Sequence, residues 1–499
     1  MPSESNQTTP LLSVRPRQHK NTPCYNWLCK PAGFVLWVVL AALVVILLAG
    51  RDSRSLTSCL ADADIPHVVR GSRDWARRIS PWNLRVTYTP AAVVIPWSVD
   101  QIQATVSCGL KNNLRISAKG GGHSSGSYGF GGEDGHLVID FEQLNQVTLH
   151  DNHTAIIQPG ARLGHVSVEL YNQGRRAIPH GTCPGVGIAG HVLHGGYGRA
   201  SRTQGLTLDW LKGSRVILAN GSIVHCSATE NSDLFWGIRG AGSSFGIVTE
   251  FEFNTFELPD HVVVFAIELP WNERAVAESL KTVQRLAMTA REELNLAFAV
   301  TAYSQTIRGL YFGNEQGLLQ ALQPLLISLK TRPSLIKTVG WLEGLENFAD
   351  GEPLDQTYPY NAVLSTLFTN INDADARHSW DILFELHGGP KSAVSRAGTS
   401  ATSYAHRNKL LLWQLNDFGE NGKLPRESFA LLKQIMDSVT QSMVEGDWGM
   451  YANSIDTQLD SETAQSLYWG ENLPRLRDIK ARFDPDNVFW NPQGISPSF

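Results

Sequence analysis

The 499-residue chain has no surplus of positive charge: 42 Lys and Arg stand against 47 Asp and Glu, a formal net charge of -5. Outside the N-terminus it has no long Lys/Arg run, so nothing offers a nucleic-acid backbone a cationic track, and nucleic acid is excluded as a partner. A fixed repeat period is also missing. Charged residues make up only 18% and apolar ones 42%, enough to bury at least one large core and to exclude a disordered chain. Cysteine is scarce, six in all, and only Cys183 has glycines crowded about it.

Charge is absent altogether from AGFVLWVVLAALVVILLAG, residues 32–50, close to the ~20 residues a helix needs to cross the hydrocarbon core. The run exceeds the roughly 7 to 15 residues of a signal-peptide core, and no small-x-small cleavage site follows Leu48. A retained transmembrane helix in the lipid bilayer is therefore expected. Arg15, Arg17, Lys20 and Lys30 precede it against Glu4 alone, whereas Arg51 and Arg54 are diluted by Asp52, Asp62 and Asp64. By the positive-inside rule the N-terminus stays cytosolic and the rest enters the secretory lumen or the extracellular space. There Asn152 and Asn220 become glycosylation sequons, while Asn6 stays cytosolic. Cys59 and Cys108 lie where oxidation is allowed, so a disulfide between them is permitted, although spacing does not fix it.

From about Ser80 the chain alternates short strands and helices. SVDQIQATVSCGL carries a capping box, Ser98 with Gln101, and then Ile102, Val106 and Leu110 at four-residue spacing: an amphipathic helix. LRISA (114–118), HLVID (136–140), AIIQ (155–158) and RVILAN (215–220) read as strands, and LGHVSVELYNQG as a helix with Gly174 placed to cap it. After FEFNTFELP the texture changes: Pro259 ends a strand, and long helical stretches such as ERAVAESLKTVQRLAMTAREEL begin, which places a domain boundary near residue 258. The terminal NLPRLRDIKARFDPDNVF sets Leu473, Leu476, Ile479 and Phe483 on one helical face before Pro485.

Two glycine clusters stand out. KGGGHSSGSYGFGGEDG (119–135) surrounds His123, and GTCPGVGIAGHVLHGGYG (181–198) surrounds Cys183. Glycine has no Cβ and tolerates positive φ, so such loops let backbone approach a flat or phosphorylated ligand with amides free to donate. Three ligands compete. GVGIAG, with Gly185, Gly187 and Gly190, fits the dinucleotide fingerprint, and Asp209 follows it. Pro184 and the glycines 195, 196 and 198 deny it the strand and helix it needs. His180, Cys183, His191 and His194 have zinc-like spacing. The third ligand is a flavin.

KGGGHSSGSYGFGGEDGH, HGTCPGVGIAGHVLHGGYG, LTLDWL, AHRNKLLLWQ, YANSIDTQL and FDPDNVF resemble the berberine bridge enzyme-like branch of the vanillyl-alcohol oxidase flavoproteins, in particular fungal glucooligosaccharide oxidases. The resemblance implies an α+β fold: a PCMH-type FAD-binding domain of two α/β subdomains (86–258) and an α+β substrate-binding domain with an antiparallel sheet (259–450). A berberine bridge enzyme-like segment (451–499) then returns to the FAD domain. Before these stand a cytosolic tail (1–31), the transmembrane helix (32–50) and a linker with the start of the FAD domain (51–85). It also implies FAD linked covalently through His123 and Cys183, with Gly120, Gly121, Gly122, Ser124, Gly126, Thr182, Gly185, Gly187 and Gly190 about it. Imidazole and thiolate are nucleophiles suited to the 8α carbon and C6 of the flavin ring. No metal is required.

The implied reaction is oxidation of a small-molecule substrate, with molecular oxygen as acceptor and hydrogen peroxide as product. The family's basic tyrosine falls on Ser454 in YANS, and a sugar-contacting tyrosine falls on Ser125. The assisting carboxylate falls on Glu385, where relatives carry aspartate; Tyr197, Gln414 and Tyr451 match. Tyr451 or Glu385 then remains as base, or the substrate is already activated. The expectation is a bulky alcohol or ring, as in secondary metabolism. Oligosaccharide oxidation, or a flavin- or zinc-binding protein without catalysis, stands as the alternative.

Overall fold

The structure, a computed structural model, describes residues 55–354, 379–418, 426–444 and 446–498. The expected transmembrane helix, 32–50, lies outside them. Among the described residues no helix is long and apolar enough to cross a membrane; the longest, Glu273–Thr289, has 17 residues and buries one face only, short of the ~20 that a span requires. The single-pass assignment, with its bilayer contact and its placement of the remaining chain, is corrected accordingly.

Ser98 does cap the helix Val99–Lys111, its Oγ accepting from Gln101 N. The reciprocal bond of the box runs instead to Trp97 N, 2.8 Å from Gln101 Oε1. This helix crosses over between parallel strands in a four-stranded sheet ordered His67–Val68, Ala92–Val94, Leu137–Asp140, Ile116–Lys119. A disulfide, Cys59–Cys108, ties it to the preceding helix Leu56–Asp62. A second, five-stranded antiparallel sheet contains Thr154–Ile157, Ile247–Asn254 and Leu211–Ile217. The helix Leu163–Gly174 ends one residue later than Gly174 suggests, because Arg175 takes the left-handed position at φ 51°. Asn152 and Asn220 occupy exposed turns, where they accept from Thr154 Oγ1 and Ser222 Oγ.

A third, six-stranded antiparallel sheet runs from Leu335–Val339 through Val262–Leu269, Gln305–Tyr311, Leu294–Thr301 and Ser379–Leu386 to Leu411–Phe418. The expected long helix stops at Thr289, and the sequence after it becomes the strand from Leu294. Strand side chains alternate. Phe265, Ile267, Phe298, Phe384 and Trp413 meet the helices Glu273–Thr289 and Glu315–Leu329 in one core. Ala297, Glu385, Leu412 and Gln414 therefore turn to the opposite face, where Leu412 joins the largest core cluster. Loops from residue 195 onward close that face: Tyr197 Oη donates to Leu386 O at 2.8 Å, and Arg202 donates to Gly388 O at 2.6 Å and Ala290 O at 3.0 Å.

The last helix, Leu473–Phe483, is anchored by a fully buried ion pair, Lys480 Nζ to Asp484 Oδ2 at 2.6 Å. Lys480 also donates to Ser244 O and Phe489 O, and Asp484 accepts from Val488 N and Phe489 N. Every polar atom of the pair is thus satisfied, the condition under which such a pair is tolerated. Lys480→Met, which strands Asp484, is expected to cost about 3–5 kcal/mol in urea unfolding. Opening the 49-residue loop with Cys59→Ser/Cys108→Ser is expected to cost about 2–4 kcal/mol on the same measurement.

Candidate active site

His123 follows the strand Ile116–Lys119, and Cys183 precedes the short helix Ile188–Leu193. The two loops touch through backbone. A Cβ built on Gly121 would stand 2.2 Å from Gly187 N, and one built on Gly187 would stand 2.1 Å from Gly121 N. No side chain fits between them, so glycine is required at both positions. Arg162 bridges the pair: its backbone pairs with Gly187, and its Nη1 donates to Gly121 O at 2.6 Å and Gly185 O at 2.5 Å.

His123 stacks on Trp82 with ring centroids 6.0 Å apart. Burial, with a smaller contribution from Arg162, pushes its imidazole down to about 3, so the ring is neutral at physiological pH. Cys183 is not in a disulfide. The residue is open to solvent, yet burial, reinforced by Glu352, pushes its thiol up to about 11. Both hold for a side chain in a recess, reached by water while protein surrounds most of it. A neutral imidazole and a thiol on two glycine loops in contact suit a planar group attached at two points.

The neighbouring predicted residues sit as follows. Gly122 adopts φ 75°, and Ser124 Oγ accepts from Tyr128 N. Ser125 Oγ donates to Ile455 O at 3.1 Å, and its carbonyl accepts from Asn83 Nδ2. Gly126 packs under Tyr128 and Ile455, whereas Gly120 approaches Pro159 O. Gly190, on the short helix, has open space where its Cβ would be, and Thr182 lines a small recess with His180, Arg199, Trp341 and Phe348.

The competing ligands lose their residues to other partners. Asp209 is held by Arg407 Nη2 at 2.6 Å and Nη1 at 3.1 Å and caps Leu206 N, so it is committed away from any ribose. His180 shares hydrogen bonds with Ser167 Oγ and Gly181 O, His191 accepts from Gly181 N, and His194 bonds Gly190 O and Ser243 Oγ. Among the described residues no group of three or more His, Cys, Asp or Glu could hold a metal.

Opposite these loops the sheet presents Glu385. It is buried, and Arg199 Nη1 donates to its Oε1 at 3.0 Å. Burial raises its pKa and Arg199 opposes the rise. Tyr451 Oη accepts from three donors: Gly196 N at 2.8 Å, Tyr197 N at 3.2 Å and Asn453 Nδ2 at 3.0 Å. Burial raises Tyr451 while those bonds oppose it. A Cβ at Gly195 would meet the Tyr451 ring at 2.8 Å, which explains a glycine there. Tyr404 packs edge-on to Tyr451 and donates to His387 Nε2 at 2.9 Å, since His387 Nδ1–H is used on Lys409 O. Gln414 is exposed, one alternate position along the face from Leu412, the register partner of Glu385. Ser454 is also exposed. Sequence reasoning missed Arg162, Arg199, Asn453 and the Tyr404–His387 pair. Of these, Asn453, beside Ser454 in YANS, and His387, two residues after Glu385 in FELHGG, lay within motifs that pointed to the site.

Several known proteins are similar to this chain over nearly their whole length. An FAD binding domain model matches residues 90–227, and a berberine and berberine-like model matches 450–496. An FAD-linked oxidoreductase of Metarhizium anisopliae is 45% identical, spanning 88% of this chain and 91% of that protein. Chitooligosaccharide oxidase of Gibberella zeae is 42% identical over 89% and 94%. A solved structure of glucooligosaccharide oxidase from Acremonium strictum, concerned with its 6-S-cysteinyl, 8α-N1-histidyl FAD, matches with a TM-score of 0.84 at 40% identity, covering 89% of this chain and 100% of that one. The fold is the α+β PCMH-type FAD-binding fold with antiparallel sheets, the cofactor is FAD, and the protein is an FAD-dependent oxidoreductase. At such identity over nearly the whole of each relative, the chain belongs to the berberine bridge enzyme-like FAD-linked oxidoreductases.

Proposed function

We propose that this protein is a carbohydrate oxidase that converts a CH–OH group of an oligosaccharide to carbonyl, with FAD linked through His123 and Cys183 and dioxygen leaving as hydrogen peroxide. The observation that carries the reading is the backbone contact of Gly121 and Gly187, which sets a neutral imidazole and a thiol on adjoining loops. The kinship with chitooligosaccharide and glucooligosaccharide oxidases supports the sugar substrate.

Bound FAD supplies the two-electron acceptor. Glu385 takes the hydroxyl proton; burial raises its affinity for that proton, and the Arg199 ion pair opposes the rise. Tyr451, with three donors on its oxygen, fixes the Gly196–Tyr197 backbone beside Glu385. Gln414 offers an exposed amide on the same sheet face to sugar hydroxyls. One observation favours a second reading, a bulkier secondary metabolite. Ser125 bonds the carbonyl of Ile455, next to Ser454, so two serines stand together where the family pattern has tyrosines.

Protein precipitated with acid should stay yellow, and the tryptic peptides containing His123 and Cys183 should appear joined as one species that carries the mass of a single FAD. His123→Ala and Cys183→Ala should each retain one link, and a colourless wild-type precipitate would rule out the attachment. Glu385 must be ionised to act, so the acid limb of kcat/KM should lie above the ordinary carboxylate value of 4.5. Glu385→Gln should lower peroxide release about 10²–10⁴-fold and abolish that limb. Turnover confined to phenols or polycyclic alcohols in the same peroxide assay would favour the second reading.

A further inference from the structure

Arg162 stands outside the proton-accepting group, between the two glycine loops. It precedes the helix Leu163–Gly174, and neighbouring backbone bonds, Leu163 N to Val186 O and Ile188 N to Ala161 O, fix its position against the Cys183 loop. From that base one nitrogen, Nη1, reaches Gly121 O at 2.6 Å and Gly185 O at 2.5 Å. The two carbonyls are symmetric in sequence: one lies two residues before His123, the other two residues after Cys183. Nη1 carries two hydrogens, so both are used, and a charged donor makes each bond stronger than its neutral counterpart. The glycine contact lets the loops approach, but it contains no side chain that holds them together.

We propose that Arg162 is a positioning residue for two-point attachment: it fixes the spacing of the His123 and Cys183 loops so that a single cofactor can be linked at both. The inference rests on the proposed linkage of FAD to these residues. Each link exchanges an N–H or S–H and a flavin C–H for one C–N or C–S bond. Two protons and two electrons leave, and dioxygen takes them up as hydrogen peroxide. The first link can form on a loop of imperfect position; the second must meet a ring already held, where a misplacement of ~1 Å costs about 10²-fold in rate. Cys183 is the dependent site, because its thiol, pushed up to about 11, is the harder to ionise, whereas His123 is already neutral.

Full-length wild type, Arg162→Met and Arg162→Lys are compared by peptide mass, on folded protein isolated by gel filtration, with thermal midpoints recorded. The wild type should be linked at both residues. Arg162→Met should keep the His123 link and lose the Cys183 link at least about tenfold, and Arg162→Lys, which retains a charged donor, should restore much of it. If Arg162→Met does not accumulate, Arg162→Gln takes its place with the same expectation, since its shorter amide spans only one carbonyl. Full double linkage in the Met or Gln variant would overturn the positioning role and leave the attachment standing, as would equal loss at both peptides. Wild type bearing FAD on neither peptide would instead overturn the attachment itself.

Discussion

Two stretches of main chain, at Gly121 and Gly187, meet with no room for a single methyl group. The site depends on that contact. It joins a loop leaving a parallel strand pair to a loop entering a helix, and so brings His123 and Cys183, far apart in the chain, to neighbouring positions. Proximity alone would not give the residues suitable chemistry. Burial does the rest for His123 by suppressing its protonated form. The same burial works against Cys183, whose reactive form is the anion. The two residues proposed as attachment points thus face opposite electrostatic consequences of one environment, and in that proposal the loop geometry compensates for a thiol that is hard to ionise.

Glu385 is positioned by a different rule, the two-residue period of a strand. Phe384 and Trp413 enter one core, with rings 4.5 Å apart, and that commitment turns Glu385 and Leu412 to the opposite face, where Glu385 meets Arg199. A carboxylate buried there alone would be neutral. Arg199, stacked over Phe348 and bonded to Glu385, opposes that neutralisation without removing it. A carboxylate whose affinity for a proton is raised by burial has the character of a proton acceptor.

Local signals in the sequence were reliable where local physics decides the outcome. Ser98 capped its helix, the short apolar runs formed strands, and the glycine clusters marked the two loops. Where the signal was missing, the partner lay far along the chain. Arg199 finds Glu385 186 residues away, and Asn453 finds the carbonyl of His191 262 residues away; neither has a spacing to read. Asp209, which the dinucleotide fingerprint would assign to a ribose, pairs with Arg407. Gly174 lost the left-handed position to Arg175 because the helix extends one residue further and Arg175 N bonds Tyr171 O. The apolar run at 32–50 led to a membrane assignment from hydropathy alone, and none of the described helices supports it.

In the proposed function, cofactor attachment, proton transfer and substrate fit fall to separate elements: the glycine loops, the strand Ser379–Leu386, and the meeting of Ser125 with the Ser454–Ile455 backbone. Ser125 spends its hydroxyl on Ile455 O and Asn83 on Ser125 O, so this wall is held by its own hydrogen bonds rather than by the packing of large rings. Small side chains there remove bulk without disturbing Gly121, Gly187 or Glu385, none of which shares a hydrogen bond with them. On that proposal, substitutions at this wall are expected to alter which molecule reaches Glu385 without touching Gly121, Gly187 or Glu385.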